Sequence, residues 1–79
     1  MIRVLFFGML AGKTGCREFS LDMKKPQAPL KEVMEALHAR FSGLPRAPYM
    51  TAINEEQAEA SSVVKDGDEV AIMPPFSGG

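Results

Sequence analysis

The sequence predicts an α+β fold in which a mixed sheet of four to five strands carries one main helix across one face. One stripe of apolar residues with helical spacing lies near the middle of the 79-residue chain. Nearly continuous or alternating apolar segments, typical of strands, lie on both sides of it. Because a single helix cannot cover both faces of a sheet, we expect it to pack on one face and leave the other uncovered.

The first predicted elements are two strands joined by a glycine-rich loop. Residues 2–7 are almost all apolar and rich in β-branched and aromatic side chains, which is typical of an inner strand. Residues 8–15 contain three glycines and predict a loop. Residues 16–22 alternate, with Phe19 and Leu21 on the more apolar side, and predict a half-exposed strand that forms a hairpin with the first.

The central helix is predicted from Pro29 to Phe41. Its apolar positions follow the spacing i, i+3, i+4, i+7 and i+11 and are Leu30, Val33, Met34, Leu37 and Phe41. Proline suits the first turn of a helix, because its missing N–H has no partner there in any case. Gly43 suits the C-terminal cap.

The second half of the chain predicts three further strands. Residues 49–54 form a short strand, residues 54–57 a turn, and residues 57–61 a weak return strand. The Lys-Asp-Gly-Asp sequence at 65–68 is a strong turn signal, and residues 69–73 read as the last strand. The predicted order is therefore β-β-α-β-β-β in one domain, residues 1–79, with residues 74–79 as an extended tail.

Composition and charge exclude several classes of protein. Ten acidic and nine basic side chains give a net charge of -1, which offers no electrostatic case for nucleic acid or for a membrane surface. No apolar stretch approaches the ~20 residues that a membrane span needs. The single cysteine, Cys16, excludes an internal disulfide framework and fits a reducing compartment, so we expect a cytoplasmic protein.

The residues of the chain offer no self-contained catalytic set. The stretch from Gly8 to Thr14 has three residues between its glycines where a phosphate loop needs four, and the strand predicted next supplies no helix N-terminus. Cys16 lacks basic neighbours in a recognisable motif, and His38 lies on the charged side of the helix. One cysteine and one histidine make no metal-ligand set. We therefore expect no enzyme that acts alone and no bound metal.

Strand alternation predicts an uncovered apolar surface on the sheet. Leu5 and Phe7 in the first strand, and Ala71 and Met73 in the last, point away from the face that the helix covers. Clustered apolar side chains of this kind mark partner surfaces, so we expect these four to contact a partner. The alternative is that the loops around residues 8–15 and 44–50 fold over them.

The end of the chain predicts a thin tail that works through its terminus. It follows the last strand and reads Pro74-Pro75-Phe76-Ser77-Gly78-Gly79. Prolines restrict φ and favour an extended chain, while glycines let a backbone approach another protein closely. The tail's only reactive group is the terminal carboxylate.

Four segments, in this order and spacing, carry a resemblance to a known family. They are Val4 to Phe7, Ala52-Ile53-Asn54, the turn and strand from Asp66 to Ala71, and the proline pair followed by Ser77 and the two glycines. Over its whole length the chain resembles the small, sulfur-carrying subunit of molybdopterin synthase, a MoaD-like family of ubiquitin-like β-grasp proteins. The resemblance implies that β-grasp fold.

The resemblance also implies a mechanism centred on Gly79. An adenylyltransferase related to ubiquitin-activating enzymes would adenylate the Gly79 carboxylate with ATP, and sulfur would displace AMP to leave a thiocarboxylate. The tail, Pro74 to Gly78, would then enter the active site of the large synthase subunit, in an assembly of two small and two large subunits. There the sulfur would pass to cyclic pyranopterin monophosphate in molybdenum cofactor biosynthesis. The large subunit would supply the acid–base groups, and AMP and the thiocarboxylate would be transient, with no resident cofactor.

The chain departs from the family pattern at two places, and alternatives stay open. Family members often carry arginine and glutamate where this chain has Ala11 and Gly12, and two aromatics where it has Ile72 and Met73. The proline pair favours the molybdopterin branch over the related thiamine carrier. The alternatives are a ubiquitin-like modifier, a sulfur carrier for tRNA or thiamine, and a non-catalytic interaction domain whose two glycines are incidental.

Overall fold

The structure, a computed structural model, describes residues 1–46 and 49–74. Seven strands and two helices occupy these described ranges. In chain order they are β1 (Ile2–Phe6), α1 (Met9–Thr14), β2 (Glu18–Leu21), β3 (Gln27–Pro29), α2 (Leu30–Arg40), β4 (Met50–Ile53), β5 (Glu56–Ala58), β6 (Val63–Lys65) and β7 (Glu69–Met73).

The main sheet is mixed and has five strands in the order β2-β1-β7-β4-β5. Two of its inner strands, β1 and β7, are parallel, although they come from opposite ends of the chain. The remaining pairs are antiparallel. Strands β3 and β6 form a separate two-stranded sheet. The predicted fold class, a mixed sheet of up to five strands with one main helix on one face, is confirmed.

The core lies between α2 and one face of the sheet. Val4 in β1 and Ile72 in β7 are fully buried there, and they meet Val33 and Leu37 of α2, which are also fully buried. This follows from the two periodicities of the sequence, because every second strand residue and every third or fourth helix residue points to the same side. Truncation of Leu37 to alanine would leave a cavity and cost about 2–5 kcal/mol.

The loop predicted for residues 8–15 is wrong, because residues 9–14 form helix α1. Gly8 (φ 58°) turns the chain out of β1, and Gly15 (φ 82°) ends the helix in the left-handed region, where its N–H donates to Ala11 O at 2.9 Å. Leu10 is buried in the core and holds the helix to the sheet. One argument against a phosphate loop, that no helix follows Gly8, is therefore also wrong, while the short glycine spacing still excludes it.

Two short strands, β3 and β6, were absent from the predicted order. Each strand has only three residues and one buried side chain, Ala28 in β3 and Val64 in β6. A segment this short shows no periodic pattern in the sequence. Their pairing also changes the start of the helix. Pro29 pairs with Val63 in extended conformation and is the N-cap, so the helix begins one residue later, at Leu30.

Two further boundaries differ from the predictions. The helix ends at Arg40 with Phe41 as its C-cap, in extended conformation, so Gly43 is not the cap. Strand β5 begins at Glu56 because Asn54 (φ 50°) and Glu55 (φ 69°) make a two-residue turn with both residues in the left-handed region. The predicted turn over 54–57 and return strand over 57–61 are therefore displaced toward the C-terminus.

Candidate functional site

The face of the sheet away from α2 carries a continuous apolar surface. Cross-strand partners point to the same side of a sheet, so the strand registers define rows of neighbouring side chains. One row crosses all five strands and reads Glu18, Leu5, Ala71, Ala52 and Gln57. The next row contains Met73 and Met50, with Phe7 beside them. The open face is defined as the six apolar residues of these rows: Leu5, Phe7, Met50, Ala52, Ala71 and Met73.

The described part of the chain leaves the open face accessible. Phe7 is 45% exposed, which is high for an aromatic side chain. Leu5, Ala71 and Met73 are half-buried, so none of the four predicted contact residues is covered by the described part of residues 8–15 and 44–50. Leu5 and Phe7 also border a hollow of about 510 Å³ that reaches Ala11 of α1. Their role as a partner surface stays a prediction.

Charged side chains lie at the other end of the same face. Arg3, in the row beyond Leu5, makes an ion pair with Glu18 of β2 at 3.0 Å and another with Glu69 of β7 at 3.1 Å. These pairs are exposed and contribute little to stability. They do divide the surface into a charged end, where β7 begins, and an apolar end, where β7 finishes.

The chain leaves the sheet at the apolar end of the open face. Strand β7 is the central strand, so the residue after it, Pro74, lies between the ends of β1 and β4. Gly8 lies directly against it: a Cβ at Gly8 would approach Pro74 Cγ to 3.3 Å. The positive φ of Gly8 and this close contact fix where the tail starts. Pro75, Phe76, Ser77, Gly78 and Gly79, predicted to form the rest of the tail and to carry its chemistry, lie outside the described residues.

A hydrogen-bonded pair of turns holds β7 at its other end. The Asn54 side chain donates to Asp68 Oδ1 at 2.9 Å and accepts from the Glu69 N–H at 3.0 Å. Asp68 Oδ2 accepts from the Lys65 N–H at 2.8 Å. The Lys65 N–H bond, followed by the Asn54 bond, lowers the pKa of Asp68 below its ordinary value. These bonds hold the start of β7 in register, and β7 in turn positions Pro74, the first residue after the strand.

The described residues contain no assembled catalytic or metal-binding group. No cluster of three or more His, Cys, Asp or Glu side chains suited to a metal occurs in residues 1–46 and 49–74. Cys16 is half-buried and packs at the edge of the core, with Thr14 Oγ1 4.0 Å from its Sγ. None of the helices in these ranges is long and apolar enough to cross a bilayer.

The sequence reasoning missed two members of the open face, Met50 and Ala52. Both were within the predicted strand at 49–54, and alternation places them together on one side. What the sequence did not reveal was that β4 pairs with β7, which brings Met50 beside Met73 and Ala52 beside Ala71. The missing information was strand order.

Comparison with known proteins gives a consistent result over the whole chain. A family model described as the ThiS family matches residues 4–79. Four curated relatives, 30–35% identical to this chain, are named molybdopterin synthase sulfur carrier subunit. The one from Arabidopsis thaliana is 35% identical over 80 residues, which cover 99% of this chain and 82% of the relative.

Solved structures agree with the observed topology. SAMP1 from Haloferax volcanii matches with a TM-score of 0.85 and 25% identity, covering 99% of this chain and 98% of that one. A chain of the complex of subunits 1 and 2 of molybdopterin-converting factor from Helicobacter pylori 26695 matches with a TM-score of 0.68 and 26% identity, covering 99% and 97%.

The parallel β1–β7 pair, the flanking antiparallel strands and the helix across one face define a ubiquitin-like β-grasp domain. The chain belongs to the ThiS family. It is also related over its whole length to the curated sulfur carrier subunits of molybdopterin synthase. The resemblance read from the sequence is confirmed.

Proposed function

We propose that this chain is the sulfur carrier subunit of a molybdopterin synthase and that Gly79 is the residue that bears the sulfur. The name shared by the curated relatives supports the first part. The terminal pair Gly78-Gly79 after a proline pair supports the second, because it ends the chain in an unhindered carboxylate.

One structural observation carries the proposal. The central strand β7 runs along the open face and ends at its apolar edge, so the tail begins beside Met73 and Phe7. A partner that binds the open face therefore has the start of the tail within its reach. Five residues extend at most ~17 Å beyond Pro74, enough to enter a neighbouring active site.

The proposed chemistry takes place at the carbonyl carbon of Gly79. A carboxylate oxygen attacks the α-phosphorus of ATP, pyrophosphate leaves, and an acyl adenylate results. A sulfur nucleophile at the oxidation level of sulfide then forms a C–S bond, the C–O bond to AMP breaks, and a thiocarboxylate remains. In the synthase its sulfur forms a C–S bond to a carbon of cyclic pyranopterin monophosphate, and the bond from that carbon to its oxygen leaving group breaks. Water then attacks the carbonyl carbon of Gly79, the C–S bond to Gly79 breaks, and Gly79 returns as a carboxylate while the sulfur stays on the pterin. AMP and the thiocarboxylate are transient, so no resident cofactor is required.

The chain's own contribution is to present the tail, and partners supply the acid–base groups. Pro74 and Pro75 restrict φ, which lowers the entropy lost when the tail enters an active site. Leu5, Phe7, Ala71 and Met73 supply the apolar contact that holds the partner. An ATP-dependent activation step and a lone thiol, Cys16, fit the reducing cytoplasm.

Two partners follow from this chemistry. The first is an adenylyltransferase related to ubiquitin-activating enzymes. The second is the large synthase subunit, in an assembly of two small and two large subunits, and the Helicobacter pylori complex of subunits 1 and 2 supports an interaction of this kind. The near-neutral charge of the chain offers no electrostatic case for nucleic acid or membrane.

Reconstituted sulfur transfer tests the proposal. The full chain, the activating enzyme, ATP and sulfide are combined with the large subunit and substrate, and dithiolene product is measured. Deletion of Gly79 should abolish product while leaving the free energy of urea unfolding unchanged, because Gly79 comes six residues after Met73, the last residue of β7. Comparable product from the deleted chain would contradict the proposal. Gly79 found instead in isopeptide linkage to lysines would favour the modifier alternative.

A further inference from the structure

A second surface, separate from the open face, lies between α2 and the edge of the sheet. This groove has a volume of about 540 Å³, within the range typical of ligand sites. Met34 of α2, Tyr49 and Ala58 of β5 form its floor and are half-buried. Lys31 and His38 of α2 and Arg46 of the following loop line the same groove. An apolar floor therefore meets three basic side chains.

The helix α2 carries two of the three basic side chains of the groove. Lys31 and His38 are seven residues apart, which is about two turns, so both project along the same side of α2. Within residues 1–46 and 49–74, the ion pairs include Arg3 with Glu18 and Lys25 with Glu32, but none that uses Lys31 or Arg46. Glu59 also lines the groove, without an ion pair to either base. A chain with a net charge of -1 thus carries a local excess of positive charge here.

The groove and the open face lie on opposite sides of β4. Thr51 lines the groove and is paired with the buried Ile72, whereas its neighbours Met50 and Ala52 belong to the open face. The groove wall is closed by two hydrogen bonds, from Lys31 N–H to Ala60 O at 3.0 Å and from Thr51 Oγ1 to Ala58 O at 3.1 Å. Occupying the groove would therefore leave the open face accessible.

We propose that this groove binds a short acidic peptide segment of a partner protein, with one apolar side chain on the floor and carboxylates against Lys31 and Arg46. Charge complementarity selects the carboxylates, and Met34 with Ala58 selects the apolar anchor. The site does not depend on sulfur chemistry at Gly79. It would let one protein hold the domain while a second uses the tail.

Chemical shift mapping on the full chain labelled with ¹⁵N tests this inference. The probe is a blocked peptide in which glutamates flank leucines, and the matched probe replaces every glutamate with glutamine. The acidic peptide should shift the amides of Lys31, Thr51 and Ala58 and leave those of Leu5 and Phe7 in place. No shifts at millimolar peptide, shifts centred on the open face, or equal binding of the glutamine peptide would overturn the proposal.

Charge reversal gives a second and independent readout. The double variant Lys31→Glu, Arg46→Glu should bind the acidic peptide at least about tenfold more weakly, since two attractive pairs become repulsive. The control double variant Lys13→Glu, Lys24→Glu makes the same change in net charge away from the groove and should weaken binding by less than about twofold. An equal loss in both double variants would mean that net charge alone attracts the peptide, and would refute the site.

Discussion

Asn54 Nδ2 donates a hydrogen bond to Asp68 Oδ1 at 2.9 Å and thereby joins the turn between β4 and β5 to the turn that leads into the central strand, β7. Asn54 also exchanges bonds with the first residue of β7: its N–H donates to Glu69 O at 2.8 Å, and its Oδ1 accepts from the Glu69 N–H at 3.0 Å. The far end of β7 carries the tail. The Asn54 network therefore fixes the strand whose C-terminus presents the proposed reactive group.

Replacing Asn54 with glycine should destabilise the fold. Glycine accepts the left-handed conformation (φ 50°) but removes both side-chain hydrogen bonds, so the free energy of unfolding should fall by about 1–2 kcal/mol. Glu55→Gly is the matched control. Glu55 has φ 69° in the same turn, so the glycine should relieve strain and raise stability by up to about 1 kcal/mol. Urea unfolding checks both, and a loss in the control equal to that of Asn54→Gly would refute the side-chain argument.

Asp68 should make stability depend on pH in the acid range. Its pKa in the folded chain is lowered by the Lys65 N–H and Asn54 bonds, so the stabilisation is fully present above the ordinary value of 3.8 and is lost as pH falls through the folded pKa. Urea unfolding of the native chain and of Asp68→Asn should differ more at about pH 6 than at about pH 3. A difference that stays constant with pH would show that the Asp68 charge contributes nothing.

Gly43 and Gly12 should respond in opposite directions to alanine. A Cβ at Gly43 would lie 2.5 Å from Lys13 O, a backbone atom that cannot move without shifting α1. Gly43→Ala should therefore cost about 1–3 kcal/mol. A Cβ added at Gly12, inside α1, would meet no atom of the described residues within 4 Å, so Gly12→Ala should gain about 0.5–1 kcal/mol of helix stability. Thermal unfolding measures both, and a loss in both would mean that α1 tolerates no added atom.

Phe7 should matter for partner binding more than for folding. Because Phe7 is 45% exposed, Phe7→Ala should weaken the complex with the large subunit about tenfold or more while changing the free energy of unfolding by less than about 1 kcal/mol. Val4→Ala is the control. Val4 points to the opposite side of the sheet and is fully buried, so this variant should lose about 2 kcal/mol of stability. Calorimetric titration with unchanged affinity for Phe7→Ala would contradict the assignment of the open face as the docking surface.

Much of this fold could be predicted from periodicity alone. The stripe from Leu30 to Phe41 defined α2, and the apolar runs at residues 2–7 and 69–73 defined the parallel strands β1 and β7, because each element buries several residues at a fixed spacing. Helix α1 could not be predicted, since its six residues contribute one core side chain, Leu10, and tertiary burial outweighs the local preference of a glycine-rich segment. Strands β3 and β6 bury one residue each, so they too leave no periodic pattern in the sequence.

Part of the candidate site could be predicted from the sequence, and part could not. Leu5, Phe7, Ala71 and Met73 follow from alternation along two strands that the sequence defines clearly. Met50 and Ala52 depend on β4 lying beside β7, and the groove depends on Ala58 of β5 lining the same hollow as residues of α2. Alternation reveals neither arrangement. The sequence shows that Lys31 and His38 share one side of the helix. It does not show that Arg46 and Ala58 line the same groove, which only the structure reveals.

The intact mass of the native protein, purified without reductive or alkaline treatment, tests the central claim most directly. If Gly79 is the sulfur-bearing residue, a fraction of the chains should show replacement of one terminal oxygen by sulfur, located at Gly79 by fragmentation and lost on deletion of that residue. Co-expression with the activating enzyme should increase this fraction. Unmodified mass under all of these conditions, or sulfur located at Cys16, would contradict the account.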